Sequence, residues 1–337
     1  MNCAETWNTE MLYRFTPTIL AATLALCAAA ATAQSAAAQS ATAQAAATQV
    51  APVQVAASST SASSASSSSG SASASPARAA KPAADPLGIA LPDGLDRATL
   101  IKLVAPQVDA ARVMLVGAKP WPRRANSYVV LVCAVPSNTA ASASPDCSQT
   151  IDPSNAAMVS PTAYVGVVER APDQAPKLVA ANGASETLAA WDDANLTLTP
   201  SSADFARGVP LLPQQWDQFD LAAYKISDEQ YAFGLRAGWS EPFAGGMATF
   251  SALYLFAIQG DRLAVILAEP MTAYRNMATD RSVNRRSERE IQDEENVLSM
   301  ASSKTDGYYD IRIKMKGDKH TKTRKWSAQQ GRYVTAK

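Results

Sequence analysis

Cys133 and Cys147 are the residues whose types and spacing come closest to a defined chemistry, and that chemistry is a covalent bond to each other. The remaining two cysteines, Cys3 and Cys27, fall in an amino-terminal stretch expected to be removed. Closing a loop of about 15 residues stabilises a fold by roughly 3 kcal/mol in the chain-entropy model. The Pro145-Asp146 turn before the second cysteine suits a clip across a surface loop. A redox-active pair is not expected, because the close spacing and flanking residues of a thioredoxin-type site are missing.

The single histidine, His320, lies in the basic run Lys319-His320-Thr321. Zinc sites built on several imidazoles are thereby excluded, and with the cysteines paired no thiolate ligands remain. A Ser-His-Asp triad would have to recruit His320, whose basic neighbours disfavour the imidazolium that the mechanism needs. Neither a phosphate-cradling loop nor a dinucleotide fingerprint is present, and Gly245-Gly246 alone reads as a turn or bulge. The sequence therefore assigns no catalytic residue, no metal, no cofactor and no nucleotide. Carboxylate chemistry of the glycosidase kind needs two acidic groups flanking a bond. Asp192, Asp193, Glu241 and Glu269 are the candidates, with Trp191, Trp216 and Trp239 as a conceivable sugar platform, although aromatics at strand spacing are core far more often.

Charge offers a different kind of site. The chain carries 30 basic and 30 acidic side chains; without residues 1–33 (Glu5, Glu10, Arg14) the balance is 29 to 28. From Asn296 to Lys337, however, ten Lys or Arg stand against Asp306, Asp310 and Asp318. Arg312, Lys314 and Lys316 share one strand face, while Tyr309, Ile311, Ile313 and Met315 share the other; Lys319, Lys322, Arg324 and Lys325 crowd the next turn and strand. Such a hairpin could concentrate anionic polymers at its surface. The plainer reading is a lysine-rich edge that resists pairing with another molecule. A second charged stretch, Arg281 to Glu295, mixes Arg285, Arg286 and Arg289 with Glu288, Glu290, Asp293, Glu294 and Glu295, and reads as a surface loop or short helix.

The elements that must position these groups are mostly strands. Asp96 to Val104 is a short amphipathic helix with Leu100, Ile101 and Val104 on one face, ending before Pro106. Tyr128 to Ala134 is a continuous β-branched run, the pattern of a strand covered on both faces. Ala163 to Glu169 and Lys177 to Ala181 form a hairpin about the turn Ala171-Pro172-Asp173. Tyr231, Phe233, Leu235, Ala237 and Trp239 alternate with small or polar residues, which gives a strand one packed face. Thr249 to Ile258 and Leu263 to Ala268 flank a tight turn at Gly260-Asp261. Glu295 to Ser302, Tyr308 to Lys316 and Thr323 to Val334 follow, the last broken by a turn at Ala328 to Gly331. Strands joined by short turns predict a mainly β fold with minor α content: an antiparallel meander folded as a sandwich or a strongly curved sheet. No repeat at 40 to 50 residues supports a propeller.

Ahead of this body, Arg14 precedes an apolar, alanine-heavy run from Phe15 to Ala33 that closes on Ala31-Thr32-Ala33, the pattern of a secretory signal. A lipid anchor at Cys27 is the alternative, weakened by Leu26 before it. Residues 34–84 are nearly all Ala, Ser, Gln and Thr and cannot bury enough surface to order themselves, so they read as a linker. Four segments follow: a signal at 1–33, a linker at 34–84, a β-rich half with one helix at 85–210, and an antiparallel half at 211–337. The mature chain is expected in the periplasm or secreted, without a transmembrane span, as a non-enzymatic binding or structural protein that engages an envelope component, protein or anionic polymer, through the basic hairpin. Two rivals are a carboxylate-dependent glycan or peptidoglycan hydrolase, and an inhibitor or adaptor that pairs through edge strands.

Overall fold

Val129, Leu131 and Cys133 look into one core while Val130, Val132 and Ala134 look into another, so the β-branched run is a strand, β2 (Ser127–Ala134), buried on both faces. The computed structural model describes residues 85–136, 146–183, 187–201, 210–278 and 289–336. The secretory signal and the linker predicted for residues 1–84 lie outside the described residues, as do Arg285, Arg286 and Glu288.

β1 (Val113–Pro120) pairs with β2, and short strands β3 (Cys147–Ser148), β4 (Thr150–Ile151) and β5 (Met158–Val159) lead to β6 (Thr162–Glu169) and β7 (Lys177–Asn182). β8 (Gln215–Lys225), β9 (Tyr231–Phe243), β10 (Gly246–Gln259) and β11 (Arg262–Ala278) form a meander. The sheet runs in the order β1-β2-β6-β7-β11-β10-β9-β8-β3. Every contact is antiparallel except one: β7 meets β11 in parallel at the single pair Ala181 and Arg262. The two outer edges are bridged by the residues before the helix, where the Phe219 amide donates to the Pro86 carbonyl (3.1 Å) and the Ala118 amide to the Gly88 carbonyl (2.9 Å). The result is a nearly closed, strongly curved sheet, as the strand pattern predicts. Strands from both sides of residue 210 line its interior. The aromatic face of β9 points inward, with Phe233 and Trp239 meeting Trp121, Phe256 and Trp191 ring to ring.

The hairpins follow the turn residues. Gly260 takes φ 66° in the two-residue turn between β10 and β11, a conformation that costs glycine nothing and any other residue strain. Gly117 serves a different need: a Cβ built there would lie 2.1 Å from the Leu87 carbonyl oxygen, so the closing segment can lie against β1 only because that side chain is absent. Gly117→Ala should therefore lower stability by about 1 to 3 kcal/mol, read as a shift in urea midpoint with an unchanged slope.

Two pieces cover the outside of the curved sheet. Helix α1 (Arg97–Val104), capped by the Asp96 side chain on the Thr99 amide (2.9 Å), lays Leu100, Ile101 and Val104 over β1, β2 and β6. A second sheet covers the opposite flank: β12 (Arg289–Thr305), β13 (Tyr308–Met315), β14 (Thr321–Ser327) and β15 (Arg332–Thr335). β12 belongs to both, pairing with β11 over Arg289 to Glu295 and with β13 from Asn296 onward. Ile311, Ile313, Trp326 and Tyr333 pack on Leu253, Leu255 and Ile266. Residues 289–295, read from their mixed charges as a loop or short helix, are thus strand. Their pairing with β11 supplies the order that alternating charge alone does not.

The Cys133–Cys147 disulfide is present, with Cα atoms 5.8 Å apart, but it is no surface clip. Both sulfurs lie in the main core, and Cys147 pairs with Trp216 of β8, so the bond ties β2 to the far edge of the sheet order. Cys133 and Cys147 are the two cysteines left beyond residues 1–33, which identifies the partners, but their spacing carries no information on depth.

Candidate functional site

The gap in the wall between β7 and β11 is where charge collects. Residues 189–196 fill it: Ala189, Trp191 and Leu196 enter the main core, and the Ala190 amide donates to the Ala268 carbonyl (3.4 Å). A 3-10 turn at Trp191–Asp193 then turns Asp193 toward β14. Arg324 meets it there. Its Nε and Nη2 form a two-pronged bond to Glu269 (2.8 and 2.9 Å), Nη2 also donates to the Asp193 carbonyl oxygen (2.9 Å), and Nη1 donates to the Asp193 carboxylate and the Thr335 hydroxyl. The guanidinium has five N–H donors and all are used. Lys322 adds bonds to the carbonyls of Asp193 (3.1 Å) and Ala194 (3.0 Å).

The Arg324 and Glu269 side chains are 3% and 1% exposed, deep enough that each charge survives only through the other. Burial pushes the Glu269 carboxyl up, against the pull of the Arg324 hydrogen bonds and charge. Burial would also raise Asp193, but hydrogen bonds from Thr335 and Arg324 and the charges of Arg324 and Lys322 outweigh it and hold this carboxyl below its usual range. A cavity of about 230 Å³ opens beside the cluster, lined in part by Asp193, Glu269, Arg324 and Thr335. Two of the four carboxylates singled out in the sequence therefore converge, yet both oxygens of Glu269 and those of Asp193 are occupied by cations. Neither is placed to protonate or attack a substrate. Glu241 instead accepts from the Ser201 amide and hydroxyl, and Asp192 is exposed. Trp191, Trp216 and Trp239 are 2 to 4% exposed and belong to the main core rather than to a shared open platform.

The basic hairpin divides along the strand period. On β13 the inward face is Ile311 and Ile313, and Arg312 and Lys314 face solvent. Register places Arg312 opposite Thr323 and Lys314 opposite Thr321, and on the other side opposite Ser299 and Val297. Lys325 lies on the same outer face of β14; Lys316 and Lys319 follow in the turn, and both are exposed. Lys316 pairs with Glu295 (3.1 Å), whereas Arg312, Lys314, Lys319 and Lys325 have no ion pair among the described residues. Lys322 and Arg324 do not belong to this face. They share the parity of Trp326, whose side chain had to point inward, and that alternation was the signal that could have separated them from their neighbours. His320 is exposed in the same turn, its amide donating to Asp318 (3.0 Å).

Among the described residues no group of three or more His, Cys, Asp or Glu could hold a metal ion, and no helix is long and apolar enough to cross a membrane. No family model, curated protein or solved structure matches this chain.

Proposed function

We propose that this protein is exported to the periplasm or beyond and works without catalysis, binding an anionic envelope polymer across the outer face of β13 and β14. The observation that carries this reading is the row of exposed cations Arg312, Lys314 and Lys325, extended by Lys316 and Lys319, interleaved with the hydroxyls of Thr321, Thr323 and Ser299. A flat strand face spaces side chains two residues apart on one strand and diagonally across to the next, roughly 7 Å in each direction, so a linear polyanion can meet several charges at once. The face is backed by the third core, which fixes the strands that carry it. Export is supported by the apolar run after Arg14 and by the disulfide, a bond favoured in oxidising compartments. The hydrolase reading loses support because its two convergent carboxylates are paired with Arg324 and Lys322.

Retention on a heparin column tests the proposal. The protein should bind at low salt and elute as salt screens the charges over a Debye length of about 8 to 10 Å. A Lys314→Glu, Lys316→Glu variant, altered only at exposed positions, should pass in the flow-through with its thermal midpoint little lowered, since the Lys316–Glu295 pair it breaks is exposed. Flow-through of the unaltered protein at low salt would reject the reading.

A further inference from the structure

A second cavity, unrelated to the cationic face, opens at the end of the curved sheet where β2 stops and β6 and β8 begin. It measures about 460 Å³, inside the range of small-molecule sites, which favour the mouths of β-barrels. Four prolines, Leu188, Leu212 and Trp216 form most of its wall among the described residues, and Ser160 and Thr162 bring hydroxyls. Among the described residues no charged side chain lines it. Three observations fix the wall in place. Proline rings hold their backbone at one φ. The Leu212 carbonyl accepts from the Trp239 indole nitrogen (2.9 Å). Trp216 pairs in register with Cys147, one end of the disulfide. Leu188 and Leu212 are also 38% and 48% exposed, large apolar side chains left in water at the rim of an apolar hollow.

We infer that this cavity is a binding site for an uncharged, mainly apolar small molecule carrying one or two oxygen functions, of the size and chemistry of a medium-chain alcohol or ester. Neutrality follows from the lining, because a buried ionic group would find no countercharge there. The oxygen function follows from the Ser160 and Thr162 hydroxyls, which can exchange hydrogen bonds with it while the chain or ring lies against prolines and tryptophan. Preformed walls spare the ligand most of the ordering entropy that a flexible site would impose.

The test uses the oxidised full-length protein and the neutral fluorophore N-phenyl-1-naphthylamine. Saturable fluorescence enhancement with a Kd below about 100 μM is expected, an ordinary affinity for a ligand of this size. Thr162→Phe, which fills the cavity, and Leu212→Arg, which puts a charge on an exposed rim position, should each weaken binding about tenfold or more. Leu212→Arg keeps the test decisive should Thr162→Phe fail to fold, with near-ultraviolet circular dichroism as the check. In competition, 1-decanol should displace the fluorophore at a concentration at least about tenfold below that needed of decanoate. Absence of saturable binding, or binding unaltered in Leu212→Arg, overturns the site. Equal displacement by decanoate overturns the neutral ligand. Binding that emerges only when residues 202–209 are replaced by a glycine-serine linker would give the cavity to the chain's own segment and also overturn the inference.

Discussion

Arg324→Ala should destabilise the protein by about 3 to 5 kcal/mol at neutral pH, the penalty of leaving a buried charge without its partner. Glu269, 1% exposed in the parent, would lose the donors to both of its oxygens. The damage is not confined to one carboxylate, because the same guanidinium fastens residues 189–196, which carry Trp191 into the wall gap between β7 and β11, to the second sheet. Equilibrium urea unfolding should find the loss, and the deficit should depend on pH with a definite sign. Burial already pushes Glu269 up in the native protein. Without Arg324 the strongest downward pull is lost and only the charge of Lys322 opposes burial, so protonation relieves the variant over a higher pH range, and by more, than it relieves the parent. The difference between variant and parent is expected to shrink as pH falls from 7 toward 5. Asp193 acts the other way in the parent. Its folded value lies below the usual 3.8, so its contribution is complete above that value and is lost only as pH falls through the lowered one. A deficit that grows on acidification would mean that Glu269 is not the group left stranded. The double variant Arg324→Met, Glu269→Leu should recover most of the lost stability, since apolar replacement of a whole buried pair is often neutral or better. Failure of that rescue would shift the weight to the Asp193 and Thr335 contacts.

This cluster marks where reading the sequence stopped working. Strands and turns were legible wherever a local pattern has one structural solution: the β-branched run of β2, the alternation of β9, the glycine at Gly260. The curved sheet followed from their succession. The Arg324 cluster was not legible as a unit, because its members are 55 and 131 positions apart in the chain and Asp193, Glu269 and Arg324 each look ordinary among their neighbours. Composition placed Arg324 with the exposed lysines, although the period-two pattern around Trp326 already placed it inward. Local charge counting outvoted strand parity, and parity was the better physical guide, since a strand cannot turn one side chain outward without turning its neighbours too. The cavity at the sheet mouth was invisible for a related reason. Its prolines and leucines come from three separate connections between strands and converge only once the sheet has curved.

Removal of the disulfide is the other change with a large expected effect. A Cys133→Ala, Cys147→Ala variant should lose about 2 to 5 kcal/mol, or roughly 5 to 15 °C in thermal midpoint for a body of this size. Chain entropy for a 14-residue separation accounts for about 3 kcal/mol. Depth adds to it, because both cysteines lie in the main core at 1% exposure or less and truncation leaves a void beside them. The bond also does topological work. β3 is two residues long and, among the described residues, pairs only with β8, at Cys147 with Trp216 and Ser148 with Gln215. Two residues of pairing are too few to hold a strand without help, so reduction should release β3 and, with it, the support behind Trp216. Buried sulfurs resist reagents until the structure opens. Thiol labelling of unreduced protein spanning residues 34–337 should therefore find no reactive cysteine, and dithiothreitol should lower the urea midpoint of the parent toward that of the double variant, short of it by the cost of the void. If reductant leaves the parent unchanged while the variant is destabilised, the loss belongs to packing at positions 133 and 147 and the cross-link contributes nothing of its own.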